Sequence, residues 1–365
     1  MKTRIIPFFI PHAGCPYRCV YCDQRVITSQ EGQVRGEDVA RTIAEYLATG
    51  GEEGRWEVAF YGGSFTALPP SKQRELLLPA FRALQEGRIE AIRISTRPDC
   101  LDEERLALLM AYGVTLVELG VQSMDDRVLR LAGRGHTAAA VVEAATLLRS
   151  WGFEWGAQLM PGLPGAGPAS DLFTARQIAA LEPDVVRIYP AVVLAGTELH
   201  RMLEKGKYKP LSLKEAVERT VEMRLIFEER GIPVIRTGLQ ESPGLAAKVV
   251  AGPYHPAFGE LVEGEIYFRQ VDYYLEKIVQ GGISCRKIKV AVNPQEVSKA
   301  IGHGRSNLRR WQEKRGIQVE VVGREEVEAG NMVFLAVDDE KVKVEVKRQD
   351  FIKACREKEK ERKKE

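Results

Sequence analysis

The sequence predicts an α/β protein, a run of strand–helix units followed by a small α+β domain, and three observations lead there. Short apolar runs alternate with longer amphipathic stretches from residue 36 to about 240. Repeated strand–helix units of this kind build a parallel sheet with helices outside it. Three cysteines, Cys15, Cys19 and Cys22, stand at a C-x3-C-x2-C spacing directly after the first apolar run. Near the end, Ile301-Gly302-His303-Gly304-Arg305 separates two helical patterns that strands flank.

In chain order, strands are expected over 5–10, 57–62, 91–96, 116–121, 156–160 and 185–189, with helices over 37–46, 72–84, 103–111, 138–150 and 172–180. Six units are too few for a closed eight-unit barrel. In parallel α/β folds the loops at the C-terminal strand ends converge on one mouth, and the chemistry sits there. Polar or glycine-rich residues do gather at those ends. The cysteines follow the first strand, Gly62-Gly63-Ser64-Phe65-Thr66 the second and Ser95-Thr96-Arg97-Pro98-Asp99 the third. Gln122-Ser123 follows the fourth, and the fifth runs from Gln158 into Met160-Pro-Gly-Leu-Pro-Gly165.

A loop leaving a strand can wrap three thiolates around one corner of a small inorganic cluster. Iron–sulfur clusters are normally held by four cysteines, so a three-cysteine loop leaves one metal site open to something that is not protein. The alternatives are a disulfide pair or a zinc knuckle. A structural zinc wants four ligands, and only His12 lies nearby to complete the set.

Composition narrows the classes. The chain has 365 residues, 44% of them hydrophobic, which is enough for two domains or one barrel with additions. Fifty-three Lys and Arg against fifty-one Asp and Glu give a net charge of +2, so any affinity for nucleic acid must come from local clustering. Cys100, Cys285 and Cys355 are far apart and form no secreted disulfide framework. The N-terminal apolar run, broken by Pro7 and Pro11, is too short for a signal peptide, and no segment offers eighteen apolar residues in a row. A cytoplasmic protein with no membrane partner is expected.

The cysteine spacing resembles the signature of the radical S-adenosylmethionine superfamily. That resemblance implies a partial (β/α) barrel, a [4Fe–4S] cluster on Cys15, Cys19 and Cys22, and S-adenosylmethionine chelated at the open iron. It also implies reductive release of a 5′-deoxyadenosyl radical and a reductant of the flavodoxin or ferredoxin class. By the same resemblance Gly62, Gly63 and Ser64 stand at the motif that binds the methionine amino group, and Tyr21 at the aromatic position beside the adenine. Leu119-Gly-Val-Gln122-Ser123 and Gly133-Arg134-Gly-His136 resemble the family's G-V-Q-S and G-R-x-H elements, whose glutamine and arginine contact the cofactor. Bland readings stand beside these: Tyr21 as an aromatic wedge, Arg134 as a helix-end cation.

The pattern is similar to two branches, oxygen-independent coproporphyrinogen oxidase and the transfer-RNA-modifying catalytic subunit of Elongator. The chain departs from the first at Phe9, Ser95 and Gln158, where that branch has tyrosine, glutamate and aspartate. Ser95 to Asp99, the Met160 to Gly165 stretch, and Ala195-Gly-Thr197-Glu198-Leu199 resemble the second. Ser95, Arg97 and Gln158 thereby join the cofactor-binding candidates, while no residue is assigned a catalytic role. The resemblance runs from about residue 4 to 240. No glycine-rich coenzyme-A turn appears, so acetyl transfer is not expected to come with the fold.

We divide the chain into a barrel region over 1–240, a connector over 241–285 whose helix, 267–279, packs on the barrel, a small domain over 286–350, and a charged tail over 351–365. The small domain should run strand 288–292, helix 294–300, the glycine loop, helix 307–314, strand 317–321, then a hairpin of 332–337 and 341–347 around Asp338-Asp339. This order resembles a KH domain, whose GXXG loop clamps a nucleic-acid backbone through amides at a helix N-terminus. Gly302, His303, Gly304, Arg305, Arg309 and Arg310 are its RNA-binding candidates. Arg305 replaces the last loop glycine, which either adds a phosphate contact or spoils the clamp. From Cys285 to Glu320 nine Lys or Arg face three Glu, a local excess of six, the footprint of a phosphate-facing surface or of a solvated helix face.

The expected function is radical-based modification of a nucleoside in transfer or ribosomal RNA. The rivals are an RNA-binding protein with a structural or sensory cluster, and a small-molecule radical enzyme of the coproporphyrinogen oxidase type.

Overall fold

Alternation within each strand decides where the core forms. In Ala91–Thr96, Ile92 and Ile94 point to the helix layer and are fully buried, while Ala91, Arg93 and Ser95 take the opposite face. A computed structural model describes residues 3–10, 14–23, 34–49, 55–241, 244–281, 285–338 and 340–362. Several positions read above lie outside the described residues: His12, Ser242 and Pro243 of the connector, Asp339 of the hairpin, and residues 363–365 of the tail.

The described chain divides into two compact units, Met1–Ala216 with Ile232–Pro256, and Val217–Gly231 with Ala257–Glu365. The first is a seven-stranded sheet. Its strands are Thr3–Phe9 (β1), Arg55–Tyr61 (β2), Ala91–Thr96 (β3), Val114–Gln122 (β4), Glu154–Leu159 (β5) and Val185–Ile188 (β6) and, beyond the short Val193–Leu194 (β7), Val234–Thr237 (β8). The order is β1-β2-β3-β4-β5-β6-β8, every neighbouring pair is parallel, and among the described residues β1 and β8 are the edge strands. The sheet curls into a half-barrel with helices outside.

β8 is an addition to the six expected strands. It is four residues long, lies at an edge and leaves Ile235 42% exposed, so Val-Ile-Arg-Thr carries no alternating signal. β7 pairs with Val249–Ala251 (β9) in a separate two-stranded sheet.

In the second unit the helix Phe258–Gln280 crosses a four-stranded sheet of order β11-β10-β12-β13, built from Lys287–Val292 (β10), Gln318–Gly323 (β11), Met332–Val337 (β12) and Glu340–Val346 (β13). β10 and β11 are parallel and β12 antiparallel to β10. Fully buried Trp311 stacks on Phe268 at 5.8 Å within a core that takes in Tyr267, Leu275, Val290 and Phe334.

Two boundaries differ from the sequence reading. The helix expected in a connector runs from Phe258 and buries Tyr267, Val271 and Leu275 in the core of the second unit. The helix Arg348–Arg362 begins three residues before the supposed tail, runs on through it and buries Phe351 and Ile352, so the charged composition conceals an anchored first turn. Its Arg348 pairs with Glu263 at 2.5 Å, and Arg224 reaches the same carboxylate at 2.6 Å. Such a buried pair holds only while both partners remain.

Candidate functional site

The cysteine loop is tied down by backbone hydrogen bonds. Val20 N–H donates to the Ala132 carbonyl at 3.0 Å, and the Val20 carbonyl accepts from Leu199 N–H at 2.7 Å. Cys15, Cys19 and Cys22 are half-buried free thiols. Burial and then the neighbouring Cys19 push the Cys15 thiol up to about 11, and burial, Cys19 and Cys15 push Cys22 up to about 12. The thiols therefore sit close enough to feel one another's charge. Among the described residues no three His, Cys, Asp or Glu side chains form a single-ion site.

Arg134 joins this loop to the sheet. Its Nη1 donates to Cys19 Sγ at 3.3 Å, and its Nη2 donates to the Gly120 carbonyl on β4. The approach needs a glycine, because a Cβ at Gly120 would come within 3.2 Å of Arg134 Nη2 and 3.0 Å of Gln122 Nε2. Gln122 closes β4 with φ +68°, a left-handed backbone that a non-glycine residue adopts at a cost of about 1–2 kcal/mol. The register between β4 and β5 slips at the same place. Gly62 and Gly63, at φ +75° and +52°, form a left-handed pair at the end of β2.

Among the described residues, four buried polar atoms around the loop have no partner: Tyr21 Oη, Gln122 Oε1, Arg134 Nε and His136 Nδ1. His136 is held neutral, its pKa pushed down to about 3 by burial and then by Arg134 and Arg97. Its Nε2 lies 3.2 Å from the Val121 carbonyl, so Nε2 carries the proton and Nδ1 presents a bare lone pair. Each orphan costs about 1–3 kcal/mol when left unmet. Their concentration beside three free thiols fits a bound polar group held by the cysteines.

Other candidates are already committed to protein. Arg97, 2% exposed, forks onto Asp99 at 2.9 and 2.8 Å, donates to the Arg134 carbonyl at 2.5 Å and lies over the Tyr17 ring at 4.9 Å. It braces Arg134. Ser64 is fully buried in a hydroxyl chain. Thr66 donates to the Cys100 carbonyl at 2.5 Å, so Thr96 donates to Thr66 at 2.6 Å and Ser64 to Thr96 at 2.9 Å. The Ser64 oxygen accepts from Arg97 N–H at 3.4 Å, which leaves its hydroxyl no donor for a ligand. Ser95 and Gln158 stand on the inner sheet face, in register with Glu118 and Arg187.

The sequence reading quoted His136 and Asp99 in motifs without giving them a role, and passed over Tyr17 and an ionic array on the inner face. There Arg93 pairs with Glu57 and, at 3.7 Å, with Glu118; Arg187 pairs with Glu118 at 2.5 Å. Only a buried-charge pattern on alternate strand positions could have signalled it.

In the second unit the glycine loop keeps a left-handed course: φ is +80° at Gly302, +56° at Gly304 and +60° at Arg305. Arg305 thus adopts the backbone of the glycine it replaces. A Cβ at Gly302 would lie 2.7 Å from Ser306 Oγ, so that glycine is required. The loop borders a groove of about 590 Å³ lined by Ile301, Leu308, Val319, Lys287, Arg305 and Arg309, among others. Arg309 also donates to the Gly304 carbonyl at 2.8 Å. Arg310 points elsewhere: it pairs with Glu265 at 2.7 Å and lies 3.5 Å over the Phe268 ring. His303 lies in the loop itself.

Residues 9–170 match the Radical SAM superfamily and residues 183–267 the Radical_SAM C-terminal domain. The chain is 32% identical over 265 residues to the tRNA uridine(34) acetyltransferase of Methanocaldococcus jannaschii, covering 70% of this chain and 43% of that protein. It is 30% identical to human Elongator complex protein 3, covering 78% of this chain and 50% of that protein. It thus spans about half, or less, of these curated relatives. The fold is similar to that of Elp3 from the archaeon Methanocaldococcus infernus, with a TM-score of 0.57 at 23% identity, over 91% of this chain and 73% of that one.

The raised thiols give a direct test on metal-free protein. Iodoacetamide labelling of Cys15 and Cys22 should rise about tenfold per pH unit from about pH 8 to about pH 10, because only the thiolate reacts. Labelling that is already at its plateau below about pH 9 would contradict the burial of these two sulfurs.

Proposed function

The chain belongs to the radical S-adenosylmethionine superfamily, and from that premise we propose that it is a radical enzyme that modifies a nucleoside in RNA. The observation that carries the reading is the convergence of Cys19, Gly120, Gln122 and Arg134 on one point at the C-terminal ends of the strands, ringed by unmet polar atoms.

Members of this family carry a [4Fe–4S] cluster and S-adenosylmethionine, which together supply one-electron cleavage of the sulfonium and a hydrogen-abstracting radical. Cys15, Cys19 and Cys22 would hold the cluster. Gln122 Oε1, Arg134 Nε, His136 Nδ1 and Tyr21 Oη are the free polar atoms for the nucleotide, and Gly62 and Gly63 open the backbone to its methionine end. Arg97 and Asp99 position Arg134. Neutral His136 offers an acceptor and adds no charge.

RNA as substrate rests on the second unit and on the relatives. An apolar groove floor, with Arg305 and Arg309 at its rim beside a Lys287–Glu320 pair and Glu313, offers stacking surface for single-stranded bases and two cations for their phosphates. The relatives named above include a tRNA uridine acetyltransferase, and we take transfer or ribosomal RNA as the substrate class without carrying over acetyl transfer. A one-electron donor of the flavodoxin or ferredoxin class and a cytoplasmic setting complete the reading. Among the described residues no helix is long and apolar enough to cross a membrane.

Anaerobically reconstituted protein with dithionite should convert S-adenosylmethionine to 5′-deoxyadenosine, and Cys19→Ala should convert none; equal yields from both would remove the enzymatic reading. For the groove, Arg305→Gly should relieve left-handed strain and raise stability by about 1 kcal/mol. The same change should weaken RNA binding and lower the slope of log K against log salt by about one. Unchanged affinity and slope would show that Arg305 makes no phosphate contact.

A further inference from the structure

Two residues below Gly120 on β4, roughly 7 Å along the strand, the half-barrel has a floor. Glu118, 3% exposed, lies between Arg93 and Arg187, and Arg93 also holds Glu57. Arg187 reaches Glu118 over β5 because residue 156 is glycine. A Cβ there would lie 3.2 Å from Glu118 Cγ and 2.9 Å from Val185 Cγ2. From β6 the same guanidinium crosses the concave face to Tyr61 on β2, donating to its hydroxyl at 2.8 Å, and donates to Tyr189 at 3.2 Å.

This array is closed in charge but not in hydrogen bonds. Both tyrosine oxygens accept from Arg187, and among the described residues neither phenolic proton has an acceptor. Two O–H donors are therefore fixed beside a cation. Arg236, half-buried and paired in register with Arg187, shares that face and has no ion pair or hydrogen bond among the described residues. On this face Arg93 and Arg187 have Glu57, Glu118 and, at the lower end of β5, Glu154 to balance them, whereas Arg236 has no carboxylate of its own among the described residues.

We propose that this floor is a binding site for a small monocarboxylate. Tyr61, Tyr189 and Arg236 are its recognition groups, and Arg187 positions the two hydroxyls. A carboxylate supplies the acceptors that the phenolic protons lack and a counter-charge for Arg236. A neutral amide would leave Arg236 without a counter-charge. The site lies beneath the residues assigned to the nucleotide, so a bound acid would present its carbon–hydrogen bonds to the reaction mouth. That use rests on the radical-enzyme reading; the binding itself does not.

Binding can be measured without turnover, by saturation-transfer NMR on full-length, anaerobically reconstituted protein titrated with acetate and with acetamide as its neutral counterpart. Acetate should bind at least about tenfold more tightly than acetamide. Arg236→Gln, and Tyr61→Phe combined with Tyr189→Phe, should each weaken acetate about fivefold or more with iron content and melting temperature retained. Equal binding of acetate and acetamide, or undiminished acetate binding by both variants, would overturn the proposal. Acetate binding in a protein that cleaves no S-adenosylmethionine would sustain the site while removing the radical reading.

Discussion

A single guanidinium fastens the cysteine loop to the sheet. Arg134 touches Cys19 Sγ at 3.3 Å with one terminal nitrogen and the Gly120 carbonyl with the other. Arg134 is buried, so leaving one of its N–H groups without an acceptor would cost about 1–3 kcal/mol or more. Much of the surrounding construction serves this contact. Gly120 clears the approach, Arg97 holds the Arg134 backbone, Asp99 and Tyr17 hold Arg97, and the Ala132 carbonyl anchors Val20 inside the loop.

The inner face separates two tasks by height. At the strand ends, left-handed Gln122, the Gly62-Gly63 pair and four unmet polar atoms leave strain and hydrogen-bonding capacity in reserve. Below them, Glu118 and its two arginines form a nearly closed ionic floor that fixes Tyr61 and Tyr189. Strain and unmet groups at one level, above charges braced by ion pairs at the next, are the pattern expected where a ligand must be gripped over a rigid support. The second unit repeats the logic on a smaller scale: Arg305 accepts a glycine's backbone at the edge of a groove while Trp311 and Tyr267 fill the core beneath.

What the sequence made legible were the places where residue type alone dictates backbone or chemistry. Three cysteines at fixed spacing, the paired glycines at 62 and 63, and the switch from apolar runs to polar strand ends needed no partner to be recognised, and six of the seven strands followed from periodicity. The unread parts depend on partners distant in sequence. Nothing near Arg187 announces that it reaches Tyr61 across the barrel, nothing near Ser64 announces Thr96, and the place of Arg310 is set by Phe268 and Glu265 on another helix. β8 escaped because an exposed edge strand of four residues has no period to detect. The helix Phe258–Gln280 was assigned to a connector because its apolar face matches a sheet that follows it in sequence.

The most direct measurement is electron paramagnetic resonance of the anaerobically reconstituted, dithionite-reduced protein before and after S-adenosylmethionine is added. The proposed set of three cysteine ligands and one open metal site predicts about four iron atoms per chain and a reduced-cluster signal whose g values shift when the nucleotide binds. An iron-free protein, or a cluster signal that the nucleotide leaves unchanged, would contradict the account at its centre.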